Sequence, residues 1–456
     1  MTLLTTLGTR IKLVDPQHAA IFRGMVTVAL FALVGKVMSA VKEMVVAYRY
    51  GLAAEVDAYQ FLSSLISWPI GVWCSVLTAV LVPLVARMRE LDKTEIPRFR
   101  AELLGLALAA GVLLTLLAWV GIRTLLAHGG SGLPDATAQS VAAALPGMIL
   151  MIPLGVVIAL QSAWLLSAGR HVNTLFDCIP TLFIAAAILV VPGGGIGPLV
   201  GGTLAGCVAH LLALFLPLFR SGDIDAPRFS LASRQWEWFW QGFGIMLAGQ
   251  ALMSFTVVID QLYAVGLGTG SNATLGYANR VLSLIIALAA IAVSRATLPV
   301  FSQSRPDGGD GRAIANCWAR GMFMAGIVVM FASYVAGPWV IALLFERGQF
   351  SPDDTMRVAQ VFRFGLVQLP FYFSSMVLVS FALSRRRYAL IFWTGIIGCA
   401  GKIAGNVLLV PNFGVDGIAL ANSIVYGLNA LFLVLALSGH DELKAGSESL
   451  SHGRTK

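Results

Sequence analysis

The chain has 456 residues, 57% hydrophobic and only 12% charged, with a formal net charge of +8 and a mean hydropathy of +0.82. A soluble protein carries about 25% charged residues, so this composition leaves too little polar surface to cover a water-soluble domain and excludes a disordered chain. Five cysteines exclude a disulfide scaffold, and a thin surplus of positive charge over so apolar a chain excludes a nucleic-acid binder.

A membrane-crossing helix needs about 20 mostly apolar residues. Runs of that kind predict twelve spans, near 22–47, 58–86, 101–126, 138–168, 174–192, 196–219, 237–266, 273–303, 314–344, 355–383, 388–410 and 415–438. The gaps after 192, 266 and 410 read PGGGIG, GLGTGS and PNFGVD, the Gly, Pro, Asn and Asp chemistry of tight turns. The first run reaches Lys36 without a small-x-small cleavage site, so it is expected to stay rather than be removed as a signal peptide. Cys74, Cys178, Cys207, Cys317 and Cys399 fall inside predicted spans with no C-x-x-C pair and read as small packing residues.

Lys and Arg gather on the cytoplasmic side of membrane proteins. With the N-terminus inside, 20 of the 31 Lys and Arg fall in cytoplasmic segments, among them Arg10, Lys12, Arg170, Arg305 and Arg385 to Arg387. About four, Arg49, Arg123, Arg347 and Arg357, fall on the opposite face. Both termini are therefore expected in the cytoplasm.

Landmarks recur at a nearly constant offset. Pro83 in LVPLVAR, taken as a helix-ending proline, returns as Pro299 in LPVFSQSR, an offset of 216. Pro153 returns as Pro370 and Arg170 as Arg387, both at an offset of 217, and Pro192 returns as Pro411 at 219. Each half then holds six spans, an even number, so the halves share one orientation, as parallel repeats do. The expected fold is an all-α polytopic membrane protein with about 12 transmembrane helices in two parallel six-helix bundles around a central cavity. Its parts are an N-terminal bundle (1–219), a cytoplasmic linker (220–234), a C-terminal bundle (235–440) and a cytoplasmic tail (441–456).

A charge at the centre of a membrane helix costs about 2.5–3.5 kcal/mol on insertion scales, so each such group needs a partner or a wet cavity. In the first half the groups at depth are Lys36, Lys42, Glu43 and Asp57; in the second they are Asp260 and Arg280. The repeat makes these clusters mates. One reading is a basic cavity in which Lys36, Lys42 and Arg280 face an anionic group such as a phosphate, with Glu43, Asp57 and Asp260 balancing charge or coupling ions. The other is internal pairing, Lys36 with Glu43 or Arg280 with Asp260. Asp177, Arg363 and Lys402 read as paired or snorkelling groups, and His210 as a hydrogen-bonded packing residue. There is no Walker A, HExxH or GxSxG motif and no loop long enough for a catalytic domain, which points to a transporter rather than an enzyme. The segment LFERGQFSPDD (344–354) suits either a head-group contact or a structural turn.

The stretch GKVMSAVKEMVVAYRYGLAAEVDAY (35–59) resembles the opening of the MviN/MurJ family of lipid II flippases, in the multidrug/oligosaccharidyl-lipid/polysaccharide (MOP) superfamily. The resemblance continues through LGYANRV (275–281), TLPVFS (297–302), LFERGQFS (344–351) and FGVDGIALANSIVYGLNALFLVLAL (413–437). It implies a multi-pass protein of the bacterial inner membrane that moves an undecaprenyl-pyrophosphate-linked saccharide from the cytoplasmic to the periplasmic leaflet. It also implies no cofactor, a drive from membrane potential or a Na+ or H+ gradient, and membrane lipids and cell-envelope glycan synthesis proteins as partners. The family's basic cavity holds the pyrophosphate; by position, Lys36 and Lys42 fall where the family usually has two arginines, Arg280 on its helix 8 arginine, Glu43 on its acidic residue and Asp57 on its aspartate.

Two differences stand out. The helix 1 arginines are lysines here, and the usual helix 2 arginine is missing from SWPIGVW (67–73). The family's lipid II members also commonly carry two further C-terminal helices. Arg grips phosphate as a bidentate fork and Lys as a point charge, so both differences favour a related cargo, such as an exopolysaccharide or O-antigen repeat unit. A cation-coupled drug or metabolite exporter would want an acidic cavity, and a polysaccharide polymerase or ligase would want a large outer loop.

Overall fold

Inside a bilayer every backbone N–H and C=O must be satisfied within the protein, and long apolar segments meet that demand as helices. The computed structural model describes residues 16–91, 93–127, 132–168, 173–220, 222–303, 310–384 and 387–452. Arg10, Lys12, Arg170, Arg305, Arg385, Arg386, Arg454 and Lys456 of the charge count lie outside them. Among the described residues every regular element is helical. In chain order these are α1 (Pro16–Tyr50), α2 (Ala54–Leu91), α3 (Ile96–Ala127), α4 (Asp135–Met148), α5 (Met151–Ser167), α6 (Asn173–Phe176), α7 (Ile179–Val190) and α8 (Gly197–Arg220). They continue as α9 (Gln235–Val265), α10 (Ser271–Gln303), α11 (Asp310–Phe345), α12 (Pro352–Leu366), α13 (Leu369–Ser384), α14 (Tyr388–Phe413) and α15 (Val415–His452).

The twelve expected runs fall on these helices, three of them divided in two. Six described helices are long and apolar enough to cross a membrane by themselves, and nine spans result if each bent pair counts as one. Two of the bent pairs are α4–α5, broken by 49°, and α12–α13, broken by 44°. Proline supplies the break: its ring lacks an N–H and clashes with the carbonyl four residues back, but it is welcome in a first turn. Pro153 and Pro370, mates in the repeat, stand in the first turns of α5 and α13. Each rests against a glycine of the helix before the pair. A Cβ added at Gly111 of α3 would meet the Pro153 Cα at 3.1 Å, and one at Gly326 of α11 would meet the Pro370 Cα at 2.6 Å.

Pro83 does not end its helix, contrary to the expectation for LVPLVAR: α2 runs on to Leu91, and α10 likewise passes Pro299 to reach Gln303. Neighbouring groups in a membrane helix absorb the freed carbonyl, so proline there marks a helix without cutting it. The turn after 410 also sits later than expected, at Gly414, because α14 carries Pro411 inside its last turn.

Contacts gather the chain into two units, each discontinuous in sequence. One comprises 1–45, 73–119 and 146–244; the other comprises 46–72, 120–145 and 245–456. The first holds an aromatic stack in which Trp236 and Phe239 pack edge-on against Phe99, with ring centroids 5.2 and 6.3 Å away. The second has an apolar core of Ala315, Ala319, Val377, Leu378, Phe381, Leu433 and Leu437, where α11, α13 and α15 meet.

Candidate functional site

In the first unit, α1 carries the basic cluster. Lys36 is exposed, whereas Lys42 and Glu43 are buried and form an ion pair at 2.7 Å. Adjacent helical residues diverge by about 100°, and the four-carbon stem of lysine spans the gap. Glu43 thus pairs with Lys42, one position away, rather than through the seven-residue spacing that puts Lys36 on its face.

The second unit holds Asp57, Asp260 and Arg280. Asp57 lies in the first turn of α2 and is fully buried. Its carboxylate accepts from the backbone N–H groups of Gly270 (2.5 Å) and Ala273 (2.6 Å) at the start of α10, and the Asn272 side chain donates to its carbonyl at 3.1 Å. Four N–H groups at a helix start lack intrahelical partners and carry partial positive charge, so a carboxylate there makes charge-assisted bonds. The turn between α1 and α2 is held from the same side. The Tyr277 hydroxyl donates to the Gly51 carbonyl at 3.3 Å, and Gln349 N–H donates to the Tyr48 carbonyl at 2.9 Å.

That last bond comes from LFERGQFSPDD. Phe345 and Phe350 are buried against Tyr277, at ring distances of 5.0 and 5.5 Å. Ser351 and Asp354 close a capping box at the start of α12. The segment is a structural turn packed on the α1–α2 turn.

Asp260 does not pair with Arg280. Its carboxylate holds the Lys402 ammonium of α14 at 2.6 Å and accepts from Asn406 at 3.4 Å, whereas Arg280 is exposed on α10. Arg363 stacks over the Tyr334 ring at 4.7 Å, bordering a groove of about 910 Å³ that Phe331, Pro338, Met356 and Phe364 also line. His210 is buried with its Nε2 3.8 Å from the exposed Asp177 carboxylate. That nitrogen makes no hydrogen bond among the described residues, because 3.8 Å is beyond hydrogen-bond reach.

One cluster was not anticipated. At the start of α3, the fully buried Glu102 carboxylate accepts from the Trp236 indole (2.7 Å), the Ser230 hydroxyl (2.9 Å) and the Ser233 N–H (3.1 Å). Arg100 beside it pairs with Asp223 and Asp225, and Arg228 N–H donates to the Ala101 carbonyl at 2.9 Å. The segment 222–234 is thereby fastened along α3. Two aspartates in an otherwise basic stretch were the available signal.

Solved structures share this fold. One described as "Lipid II flippase MurJ, inward closed conformation" superposes with a TM-score of 0.78 over 90% of this chain and 87% of its own, at 17% identity. An inward-facing multidrug resistance MATE family transporter of the MOP superfamily gives 0.73 over 91% of this chain and 96% of its own, at 16% identity. The fold and its long apolar helices define a polytopic helical membrane protein.

Within that class the family is narrower. The family model "Lipid II flippase MurJ" matches residues 74–450, and the chain belongs to that family. A probable lipid II flippase MurJ of Helicobacter pylori strain J99 is 30% identical over 254 residues, 51% of this chain and 54% of that protein. A relative of the same name in Aquifex aeolicus is 22% identical over 415 residues, 88% of this chain and 80% of its own. The chain spans about half the length of the first curated relatives it matches.

Proposed function

We propose that the protein is an inner-membrane flippase that carries an undecaprenyl-pyrophosphate-linked saccharide from the cytoplasmic to the periplasmic leaflet by alternating access. The observation that carries this reading is the family match over residues 74–450. The broken helices α4–α5 and α12–α13 carry the repeat's paired prolines, Pro153 and Pro370. Their recurrence supports two parallel six-helix repeats, the architecture of rocking transporters.

Lys36, Lys42 and Arg280 bind the pyrophosphate. The saccharide crosses in a polar cavity while the polyprenyl tail stays in lipid, which avoids burying a hydrated head group in hydrocarbon. Lys42 begins in its ion pair with Glu43, so the incoming phosphate competes with a carboxylate already in place. Both termini are cytoplasmic. In that orientation the Asp57 junction with α10 lies at the outer end and closes it until release. Membrane potential or an ion gradient drives the cycle, and cell-envelope glycan synthesis proteins supply and consume the cargo.

Lipid II is the first cargo to test, because relatives carry its name. Lysines in place of arginines and SWPIGVW in place of an arginine-bearing segment favour the second, an exopolysaccharide or O-antigen repeat unit. The experiment is to delete the gene and measure lipid-linked intermediates with a probe that reaches only the outer leaflet. Loss of outer-leaflet signal with accumulation inside is expected, and the sugar of the accumulated species names the cargo. Wild-type outer exposure of every lipid-linked species sinks the reading.

A further inference from the structure

Lys402 is fully buried, and it is held by oxygens from two other helices. Its Nζ lies 2.6 Å from Asp260 Oδ1 on α9, 2.7 Å from Asn422 Oδ1 and 3.2 Å from the Ile418 carbonyl, both on α15. An ammonium has three N–H donors and no acceptor, and here each donor has one oxygen. Asn406, one turn further along the same face of α14, gives its N–H to Asp260 and keeps a buried Oδ1 that no donor among the described residues reaches.

A carboxylate, amide oxygens and a main-chain carbonyl, with one negative charge among them, form the donor set that takes a desolvated alkali cation in a membrane protein. We propose that this cluster is a monovalent-cation site whose occupant is the chain's own Lys402 ammonium. The positive charge is tethered to α14, so Asp260 is not open to a Na+ or K+ ion. Ion coupling through Asp260, one of the roles expected for it, does not fit these residues; Asp260 balances Lys402 and joins α9 to α14. The inference goes beyond the flippase reading and does not depend on the cargo.

The test uses the full chain purified in detergent, with thermal unfolding in NaCl, KCl and choline chloride at equal ionic strength. Wild-type midpoints should coincide in the three salts. Lys402→Ala, which empties the ammonium position, should unfold several degrees lower in choline and regain at least half of that loss in NaCl. A folded Lys402→Ala protein that responds equally to all three salts overturns the proposal, since loss of a merely structural ion pair gives that result. Radiolabelled Na+ binding to the wild type decides the matter independently of the variant's folding. No stoichiometric binding is expected. Stoichiometric binding that weakens severalfold in Asn422→Ala means that the site takes a free ion, and the proposal fails. Neither measurement reads flipping, so the cargo assay and this one fail separately.

Discussion

The Asp57 carboxylate accepts the backbone N–H of Ala273 at 2.6 Å, and the two residues are 216 positions apart, the spacing at which Pro83 recurs as Pro299. Asp57 and Ala273 are therefore equivalent positions of the two sequence halves, and the starts of α2 and α10 meet head to head. Only the first half supplies an acid, so the junction has a donor side and an acceptor side. Asp57→Ala leaves the Gly270 and Ala273 N–H groups buried without a partner. A lost helix cap costs about 1–2 kcal/mol, and a fall of that size in unfolding free energy is expected. Asp57→Asn keeps an acceptor without the charge and should recover about half. Equal losses in the two variants would mean that a neutral acceptor contributes nothing and the charge carries the whole effect.

Glu102 fastens the connector between the halves through Trp236, 134 positions away, at 2.7 Å. Glu102→Ala strands the indole and the Ser233 N–H, at about 1–3 kcal/mol for each buried donor left unpaired. The expected signature is local: faster proteolysis within 222–234 and a red-shifted Trp236 emission, with the rest of α9 and the second unit unchanged. Trp236→Phe combined with Glu102→Ala should cost less than the two single changes added together, because the pair shares one bond.

How much of this was legible in the chain depends on range. Runs of apolar residues declare helices one at a time, and Pro153 and Pro370, 217 positions apart, mark the breaks before α5 and α13. The buried charges were legible as anomalies but not as pairs. Nothing local to Lys402 indicates Asp260, since the two are brought together by the packing of α9 against α14 and not by helical spacing. Glu102 was hidden for the same reason: its partners lie across a linker, and nothing beside it at the start of the 101–126 run points to them. Face-sharing at seven residues proposed Lys36 for Glu43, whereas the lysine next to it, Lys42, reaches the carboxylate.

Gly348 explains why LFERGQFS tolerates no side chain at its centre. Its φ is +62°, and a Cβ there would overlap the Tyr48 carbonyl oxygen. Left-handed backbone costs about 1–2 kcal/mol for a residue with a Cβ, and the overlap with Tyr48 adds displacement of the α1–α2 turn. Gly348→Ala should lower the unfolding free energy by more than about 2 kcal/mol by these terms together. Gly121→Ala is the control, because a Cβ in α3 at that point meets nothing within 4 Å. It should be neutral or stabilising by up to about 1 kcal/mol. Chemical denaturation of the two variants side by side checks both values, and a larger loss at Gly121 than at Gly348 would contradict the packing described.

The Lys42–Glu43 pair separates stability from cargo binding. Their side chains are 10% and 5% exposed, with 2.7 Å between charged atoms. Removing one partner of a buried ion pair typically costs about 3–5 kcal/mol, whereas removing both is often close to neutral. Lys42→Met should therefore unfold well below the wild type, and Lys42→Met with Glu43→Gln should return most of the way. Flipping should follow a different order. If Lys42 holds the pyrophosphate, the double variant is folded yet transports at least tenfold more slowly, while Glu43→Gln alone binds the lipid-linked pyrophosphate more tightly because its competitor is gone. Lys42→Arg keeps the charge and adds a bidentate fork, so it should transport at least as fast as the wild type. A stable double variant that transports at the wild-type rate would remove Lys42 from the binding site and leave the pair a purely structural tie within α1.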